Sequence, residues 1–243
     1  MMKYSILMPF YMRAKYFKNT LISFKHHYAQ RNDFEIIIIE DPKNVANHEE
    51  HNLILQIINK TGINIRTFQS PVNVQNPAPA FNFGAKMANG NFLIITNPEC
   101  FHQSNILSGL DTHFSKNPNQ YVVCACLDVS TLSFDIENYS DFKYSTIFWY
   151  QHTVHNHRLL HFCSAISKDL FFKLGGFDEE YKDGMCYEDA DFREKVIASK
   201  TPIVADDNLV VLHQDHPKEY QFVDMSLNAK NAQIYFKKWG KTS

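Results

Sequence analysis

Three carboxylates fall within four residues in the segment Tyr187-Glu188-Asp189-Ala190-Asp191, at the start of a stretch with helical periodicity. Such crowding of negative charge is unfavourable unless some carboxylates lie at a helix N-terminus, where free N–H groups and the helix dipole stabilise them. The same setting keeps a carboxylate ionised, as a general base must be. From the spacing alone, an ordinary helix cap with an acidic first turn explains the segment equally well.

Acidic residues also follow two apolar runs that are typical of buried strands. Glu40-Asp41 follow the run 34–39, and Asn97-Pro98-Glu99 follow the run 92–96. Carboxylates at strand ends can accept hydrogen bonds from ribose hydroxyls, or hold a divalent ion beside a diphosphate. Taken alone, they are explained more simply as polar residues that end apolar strands.

Histidines and aromatic residues concentrate in the second half of the chain. His213 closes an apolar run and is followed by Gln214-Asp215-His216, and histidine with carboxylate suits Mn²⁺ or Zn²⁺. With 12 histidines in the chain, chance placement is the simpler explanation. Residues 142–161 are dense in aromatic and histidine side chains, which either stack on sugar rings and bond hydroxyls or anchor a loop.

The elements that must position these residues alternate regularly through the first half of the chain. Apolar runs predict strands, and amphipathic stretches between them predict helices. The predicted strands are 5–8, 34–39, 63–68, 92–96 and 121–127, and the predicted helices are 15–28, 48–60, part of 76–90, and 105–114. This alternation predicts a doubly wound α/β sheet, in which ligands bind beyond the carboxyl ends of the strands.

The second half has a weaker pattern. Residues 130–161 show no clear period, so no element is predicted there. Helices are predicted at 167–174, 189–198 and 226–239, and short strands at 202–204 and 209–213.

Composition limits the classes of protein that fit. The chain has 243 residues, of which 44% are hydrophobic and 21% charged, as in a folded globular domain. A formal charge of -2 gives no case for nucleic-acid binding. The sequence shows no signal peptide and no apolar stretch near the roughly 18 residues of a membrane span, so we expect a cytoplasmic location. The five cysteines are therefore expected to be free thiols.

Taken in order, these motifs resemble glycosyltransferase family 2. The opening 5–14 is similar to the family's first strand and nucleotide-receiving turn, and 34–41 to the strand that ends in a nucleotide-binding acid. The most specific match is Gly175-Gly176-Phe177-Asp178-Glu179 followed by Tyr187-Glu188-Asp189-Ala190-Asp191. The later half resembles the galactosyltransferase and N-acetylgalactosaminyltransferase branch, which includes bacterial capsule and chondroitin-type polymerases. The resemblance covers nearly the whole chain.

The resemblance implies a fold and a reaction. The fold is α/β of the GT-A (Rossmann-like) type, with a mixed, mostly parallel sheet flanked by helices in a single domain, 1–243. Residues up to about 127 would bind the nucleotide sugar, and 128–243 would bind the acceptor and carry the catalytic groups. The expected enzyme moves a hexose or N-acetylhexosamine from a nucleotide sugar, a UDP-sugar by resemblance, to a glycan acceptor with inversion, in the synthesis of bacterial surface polysaccharide.

The resemblance also implies residue roles. Asp189 matches the catalytic base, and Glu188 would hold the acceptor or orient the base. Glu99 and His213 would bind Mn²⁺ or Mg²⁺. Expected donor contacts are Pro9, Tyr11, Arg13, Glu40, Asp41, Asn82 and Asn97. Expected acceptor contacts are Trp149, His161 and Asp191.

Two positions depart from the family pattern. Asn97-Pro98-Glu99 stands where the family usually has Asp-x-Asp, so we expect the cation to bind through Glu99 with reduced affinity. Phe81 replaces a usual arginine, which removes one expected phosphate or base contact. These departures motivate a second hypothesis, a catalytically impaired member that binds a nucleotide sugar or glycan.

A third hypothesis is a nucleotidyltransferase with a related sheet. It ranks last, because 8–18 lacks the glycines of a phosphate loop.

For the glycosyltransferase, the expected acceptor is a saccharide or lipid-linked saccharide. A peripheral contact of 148–150 with the inner face of the membrane, and an oligomeric state, are left open.

Overall fold

A nine-stranded sheet forms the centre of the protein. The computed structural model describes residues 2–72, 76–135, 139–216 and 225–241. The strands are β1 (Tyr4–Phe10), β2 (Phe34–Glu40), β3 (Ile65–Gln69), β4 (Phe92–Thr96), β5 (Cys100–His102), β6 (Tyr121–Asp135), β7 (Ser140–Gln151), β8 (Cys163–Ser167) and β9 (Ile203–Gln214). The helices are α1 (Ala14–Tyr28), α2 (Pro42–Ala46), α3 (His48–Asn59), α4 (Ala78–Met87), α5 (Ile106–Lys116), α6 (Lys168–Lys173), α7 (Glu188–Ala198) and α8 (Met225–Trp239), with a 3-10 helix at Glu179–Asp183.

The strand order across the sheet is β3-β2-β1-β4-β8-β6-β9-β5, with β7 paired to β6. Strands β1, β2, β3, β4, β6 and β9 run in one direction, and β5, β7 and β8 run in the other. The predicted mixed, mostly parallel sheet is therefore confirmed. The carboxyl ends of β1, β2, β4 and β9 meet at one edge of the sheet, and the start of β8 lies at the same edge because Thr96 pairs with Cys163.

Alternating side chains of the buried strands pack into two apolar cores, one on each face of the sheet. Ile6 and Met8 of β1 pack on one face with the apolar stripe of α1, which includes Phe17 and Phe24, and with α5. Leu7 packs on the other face with α4, α6 and α7. Helices thus cover both faces, which explains why the central strands are apolar throughout rather than alternating.

The second half differs from the expectation in two elements. Residues 130–161, where no element was predicted, contain the end of β6 and all of β7, which form a long hairpin. Register shifts recur along this hairpin, so the side-chain period of two that marks a strand is broken. The two short strands expected at 202–204 and 209–213 are one strand, β9, whose register against β6 shifts between Cys124 and Ala125.

The remaining differences are short elements. The sequence pattern did not predict four short elements. They are β5, β8, α2 and the 3-10 helix, and each spans five residues or fewer. All five cysteines are free, as expected. Within the described ranges, no helix combines the length and the apolar character needed to cross a bilayer.

Candidate active site

Three buried side chains converge at the carboxyl edge of the sheet. Glu99 follows β4, His213 lies near the end of β9, and His216 follows three residues later. Glu99 Oε1 lies 3.5 Å from His213 Nε2 and 3.4 Å from His216 Nε2. Bonds of about 2.0–2.2 Å to one cation would place neighbouring ligand atoms about 3–3.5 Å apart. The three side chains therefore have the spacing of a shared cation site.

Backbone contacts hold Glu99 in this position. Cys100 pairs with His213 across the β5–β9 ladder. The Glu99 carbonyl accepts from the backbone N–H of Gln214 at 3.1 Å and from its side-chain amide at 3.0 Å. Thr20 of α1 donates to the Pro98 carbonyl at 2.7 Å. The turn after β4 is thus fixed by both β9 and α1.

Asp128 orients the His213 ring. Its Oδ1 lies 2.8 Å from His213 Nδ1, and Asp128 is fully buried. Burial lowers the pKa of His213, but hydrogen bonds with Asp128 and Glu99 outweigh this effect and raise the pKa to about 10. A carboxylate behind a histidine fixes which nitrogen faces a cation and strengthens it as a ligand. Here that nitrogen is Nε2, which faces Glu99 and would lose its proton when a cation binds.

Positive charge surrounds Glu99. Burial raises the pKa of this carboxyl, but hydrogen bonds from His213 and His216, with the charge of Arg13, hold its pKa well below the usual range. Arg13 Nε lies 3.8 Å from Glu99 Oε2. The Glu99 carboxyl is therefore ionised, as a cation ligand must be.

A strained turn precedes the acidic helix start. Cys186 and Tyr187 have φ of 62° and 72°, in the left-handed region, which costs about 1–3 kcal/mol for each such residue. Asn76 donates to the Cys186 carbonyl at 3.3 Å, and Asn231 of α8 donates to it at 2.9 Å. The turn is held from two sides, and strain of this kind concentrates at functional sites.

The two acids at the start of α7 have different environments. Glu188 is 7% exposed and its Oε2 accepts from Asn76 at 2.6 Å. Burial, and then the charge of Asp189, raise the pKa of Glu188 to about 8. Asp189 is half-buried and lies in the first turn, where the helix N-terminus stabilises a carboxylate. Glu188 thus keeps its proton at neutral pH, and Asp189 is the base candidate.

His161 and Phe162 connect this acidic pair to the cation cluster. His161 Nε2 lies 4.0 Å from Glu188 Oε1, and the ring centroid of Phe162 lies 5.8 Å from that of His213. The Phe162 carbonyl accepts from Thr96 Oγ1 at 2.9 Å. Because His161 and Phe162 are consecutive residues, their Cα atoms lie about 3.8 Å apart. The structure therefore brings Glu188, the neighbour of the base candidate, and the cation cluster to two sides of one short segment.

The predicted nucleotide contacts lie at the ends of β1 and β2. Pro9 is half-buried and Tyr11 is 43% exposed. Glu40 accepts from Asn44 at 2.9 Å and pairs with His51 at 2.9 Å. Asp41 caps α2 by accepting from Lys43 N at 2.8 Å. Asn97 is half-buried beside Glu99.

Comparison with known proteins identifies the family. Residues 5–175 match the family model described as Glycosyl transferase family 2. The chain belongs to glycosyl transferase family 2. The match confirms the family predicted from the motifs. No curated protein sequence matches this family 2 chain.

Solved structures are similar to this family 2 protein in fold. One is mannosyltransferase PcManGT from Pyrobaculum calidifontis in complex with GDP-Man and Mn²⁺, with a TM-score of 0.67 and 12% identity over 99% of the present chain. Another is S. aureus TarS 1-349 in complex with UDP-GlcNAc, with a TM-score of 0.67 and 16% identity over 92% of the present chain. The chain spans 65% and 61% of those two chains. The predicted GT-A fold is confirmed.

Two residues predicted to contact substrate have structural partners instead. Asn82 exchanges two hydrogen bonds of 2.9 Å with the backbone of Phe177 and holds the turn after α6. Asp191 is fully buried and accepts from Tyr181 at 3.2 Å and from Trp239 at 2.8 Å. Asp191 thereby fastens α7 to α8, and we carry neither residue into the proposed substrate site.

Trp149, predicted as an acceptor contact, belongs to a third apolar cluster with Phe101, Leu127 and Leu212. Its neighbour Tyr150 packs on the other face and lies 5.0 Å from the ring of His213. Successive side chains of a strand point to opposite faces of the sheet, which separates the two rings.

Four residues of the site were not predicted as such. His216 had a visible signal, the His-x-x-His spacing with His213. Asp128 ends the predicted strand 121–127, as other acids of the site end theirs. Tyr150 lies in the aromatic segment 142–161, for which stacking on sugar rings was one of two explanations, whereas Asn76 gave no comparable signal because its partners lie far away in the sequence.

Proposed function

We propose that this family 2 protein transfers a hexose or N-acetylhexosamine from a UDP-sugar to a glycan acceptor with inversion. The observation that carries the proposal is that Glu188-Asp189, at the start of a helix, and the cluster of Glu99, His213 and His216 lie on two sides of the segment His161–Phe162, with Glu188 making the contact to His161. A base on one side of a diphosphate-binding cation site is what glycosyl transfer from a nucleotide sugar requires.

The reaction follows from these positions. Asp189 takes the proton of the acceptor hydroxyl while that oxygen bonds to the anomeric carbon. The bond from that carbon to the diphosphate oxygen breaks in the same step, so the configuration inverts and UDP leaves. Glu99, His213 and His216 would hold a divalent cation, whose positive charge would offset the negative charge that develops on the diphosphate. Arg13, beside Glu99, lies where it can contact the same diphosphate.

The ligand set favours Mn²⁺ over Mg²⁺. Two imidazoles and one carboxylate form the cluster, whereas Mg²⁺ prefers oxygen ligands and retained waters. This set also explains how a cation can bind although Asn97 replaces the usual first aspartate, because His216 adds a ligand. The PcManGT structure contains Mn²⁺.

Loss of the Asp128 carboxylate is expected to weaken cation binding. In Asp128→Asn, the His213 ring loses the charge that orients it, and the Kd for Mn²⁺ should rise by about 10–100-fold, measured by electron paramagnetic resonance titration. Asp206 forms a similar 2.8 Å pair with His113 at the other end of β9 and provides the control. Asp206→Asn should leave the Kd within about twofold. An Asp128→Asn protein with unchanged Mn²⁺ affinity would contradict the cation site.

The acceptor is proposed to lie along Tyr150 and Phe148. Phe148 is 41% exposed and its ring lies 4.4 Å from that of Tyr150, which contacts His213. Aromatic faces of this kind stack on sugar rings. The predicted half-domain division, with the acceptor bound by 128–243, agrees with this placement. Resemblance to capsule polymerases supports a saccharide or lipid-linked acceptor of a bacterial surface polysaccharide.

Phe148→Ala should separate transfer from donor hydrolysis. We expect about tenfold lower transfer to methyl glycosides, because one stacking face is lost, with UDP-sugar hydrolysis unchanged. Phe172 of α6 is 42% exposed and serves as the matched control. Equal loss in Phe172→Ala, or a fall in hydrolysis as well, would argue against the acceptor position.

The function is tested by incubating the protein with UDP-glucose, UDP-galactose, UDP-N-acetylglucosamine and GDP-mannose, with Mn²⁺ and methyl glycosides. Release of the nucleoside diphosphate from one donor supports the enzyme.

The Asn97-Pro98-Glu99 motif favours a second candidate function, a member that only binds nucleotide sugar or glycan. Binding of a donor with no release under any condition would select that second function.

A further inference from the structure

His161 is a buried polar side chain without a hydrogen-bond partner among the described residues. The residue is 7% exposed, and neither Nδ1 nor Nε2 has a partner in that part of the chain. The rings of Phe81 and Phe177 cover it edge-on, with centroids at 5.2 and 5.0 Å. Unpaired buried polar atoms are rare, because each loses its bonds to water without compensation. Such a ring is therefore expected to serve a ligand.

Glu188 lies beside His161, at a distance that fits a shared ligand atom. Nε2 and Oε1 are 4.0 Å apart, which is too long for a hydrogen bond between them. One oxygen placed about 2.8 Å from each atom would bond both. The other oxygen of Glu188 is held by Asn76 at 2.6 Å, so the orientation of the carboxyl is fixed.

The protonation of the pair matches a hydroxyl. Burial lowers the pKa of His161, which leaves a neutral ring with one donating and one accepting nitrogen. A hydroxyl both donates and accepts, so it can satisfy the ring and the carboxyl together. A cation or a phosphate offers only one of these two functions.

We propose that His161 and Glu188 together bind one hydroxyl of the donor sugar, and so select the donor. This inference rests on the proposed function. The sequence suggested His161 as an acceptor contact, but both members of the pair are 7% exposed. Asp189, the residue that must meet the acceptor, is more exposed. The more buried position of His161 and Glu188 suits the donor sugar, which enters the site first and is then covered. A site built to bond a hydroxyl rejects sugars that lack it or present it differently.

The test compares each sugar nucleotide with its own nucleoside diphosphate. Isothermal titration with Mn²⁺ gives Kd values for UDP and its four sugars, UDP-glucose, UDP-galactose, UDP-N-acetylglucosamine and UDP-N-acetylgalactosamine, and for GDP and GDP-mannose. In His161→Phe, the ring packing is kept and the nitrogens are lost. The Kd of the preferred sugar nucleotide should rise about tenfold, with the Kd of the nucleoside diphosphate unchanged. His161→Gln, which offers an amide near the Nε2 position, should recover most of the affinity.

A control variant and the possible results distinguish failure of this inference from failure of the proposed function. His157 is an exposed histidine of the same loop, and His157→Phe should change neither Kd. Unchanged sugar-nucleotide affinity in His161→Phe overturns this inference and leaves the proposed function intact. A wild-type protein whose preferred sugar nucleotide binds no tighter than its nucleoside diphosphate also overturns it. Absence of any nucleotide binding by the wild type would instead contradict the proposed function.

Discussion

Replacing Asp189 with Asn is expected to lower kcat by about 10²–10⁴-fold, the usual contribution of a general base. The amide cannot accept the proton of the attacking hydroxyl, so transfer loses its base while the shape of the site is kept. The Kd for the UDP-sugar should change little, because the cation ligands are untouched. Steady-state kinetics with the preferred donor, together with titration of that donor, measure both quantities.

The matched control for Asp189 is Asp169. Each is the second residue of its helix, in the first turn of α7 and α6 respectively, but Asp169 is exposed and lies outside the site. Asp169→Asn should keep near-full activity. Near-full activity of Asp189→Asn would remove the base assignment. Asp189→Asn also removes the charge beside Glu188, so the pKa of Glu188 should fall from about 8.

The second large effect is expected for Glu99→Gln. Glu99 is the one carboxylate in the cluster with His213 and His216, so its loss removes the negative charge that balances the cation. We expect kcat to fall by about 10²–10³-fold, in line with the loss of one group that stabilises developing charge. Mn²⁺ affinity should fall with it. Chelation of the wild-type protein with EDTA should reproduce the loss, and added Mn²⁺ should restore activity only in the wild type.

Glu35 separates this effect from general destabilisation. It is also a fully buried glutamate, but it lies near the start of β2, at the opposite edge, and bonds Ser5 at 2.7 Å and Arg66 at 3.0 Å. Glu35→Gln should lower thermal stability and leave the Mn²⁺ dependence unchanged. If Glu99→Gln keeps full Mn²⁺-dependent activity, the cation site is misassigned.

The first half of the fold could be predicted from the sequence because its strands are buried on both faces. Runs such as 34–39 and 92–96 are continuous and apolar, and helices of clear period separate them. The hairpin of β6 and β7 could not be predicted, because its register shifts break the side-chain alternation on which such predictions depend. The interrupted register of β9 split one strand into two expected ones for the same reason.

The site was predictable where its residues end an element. Asp189 begins a helix, and Glu99 and His213 each close an apolar run, so local pattern and family motif pointed to them. Asp128 ends a predicted strand and Tyr150 lies in the aromatic segment, but no local pattern predicts their contacts with His213 across the sheet. Asn82 and Asp191 matched expected positions, yet their partners at Phe177 and Trp239 hold neighbouring elements together.

The central claim is that a cation and the donor diphosphate meet at Glu99, His213 and His216. Crystals grown with MnCl₂ and UDP, measured at the manganese absorption edge, test it most directly. We predict one strong anomalous peak about 2.0–2.2 Å from Glu99 Oε1, His213 Nε2 and His216 Nε2, bridged to the diphosphate of UDP. UDP bound with no manganese at these three atoms, or manganese bound elsewhere on the protein, would contradict the account.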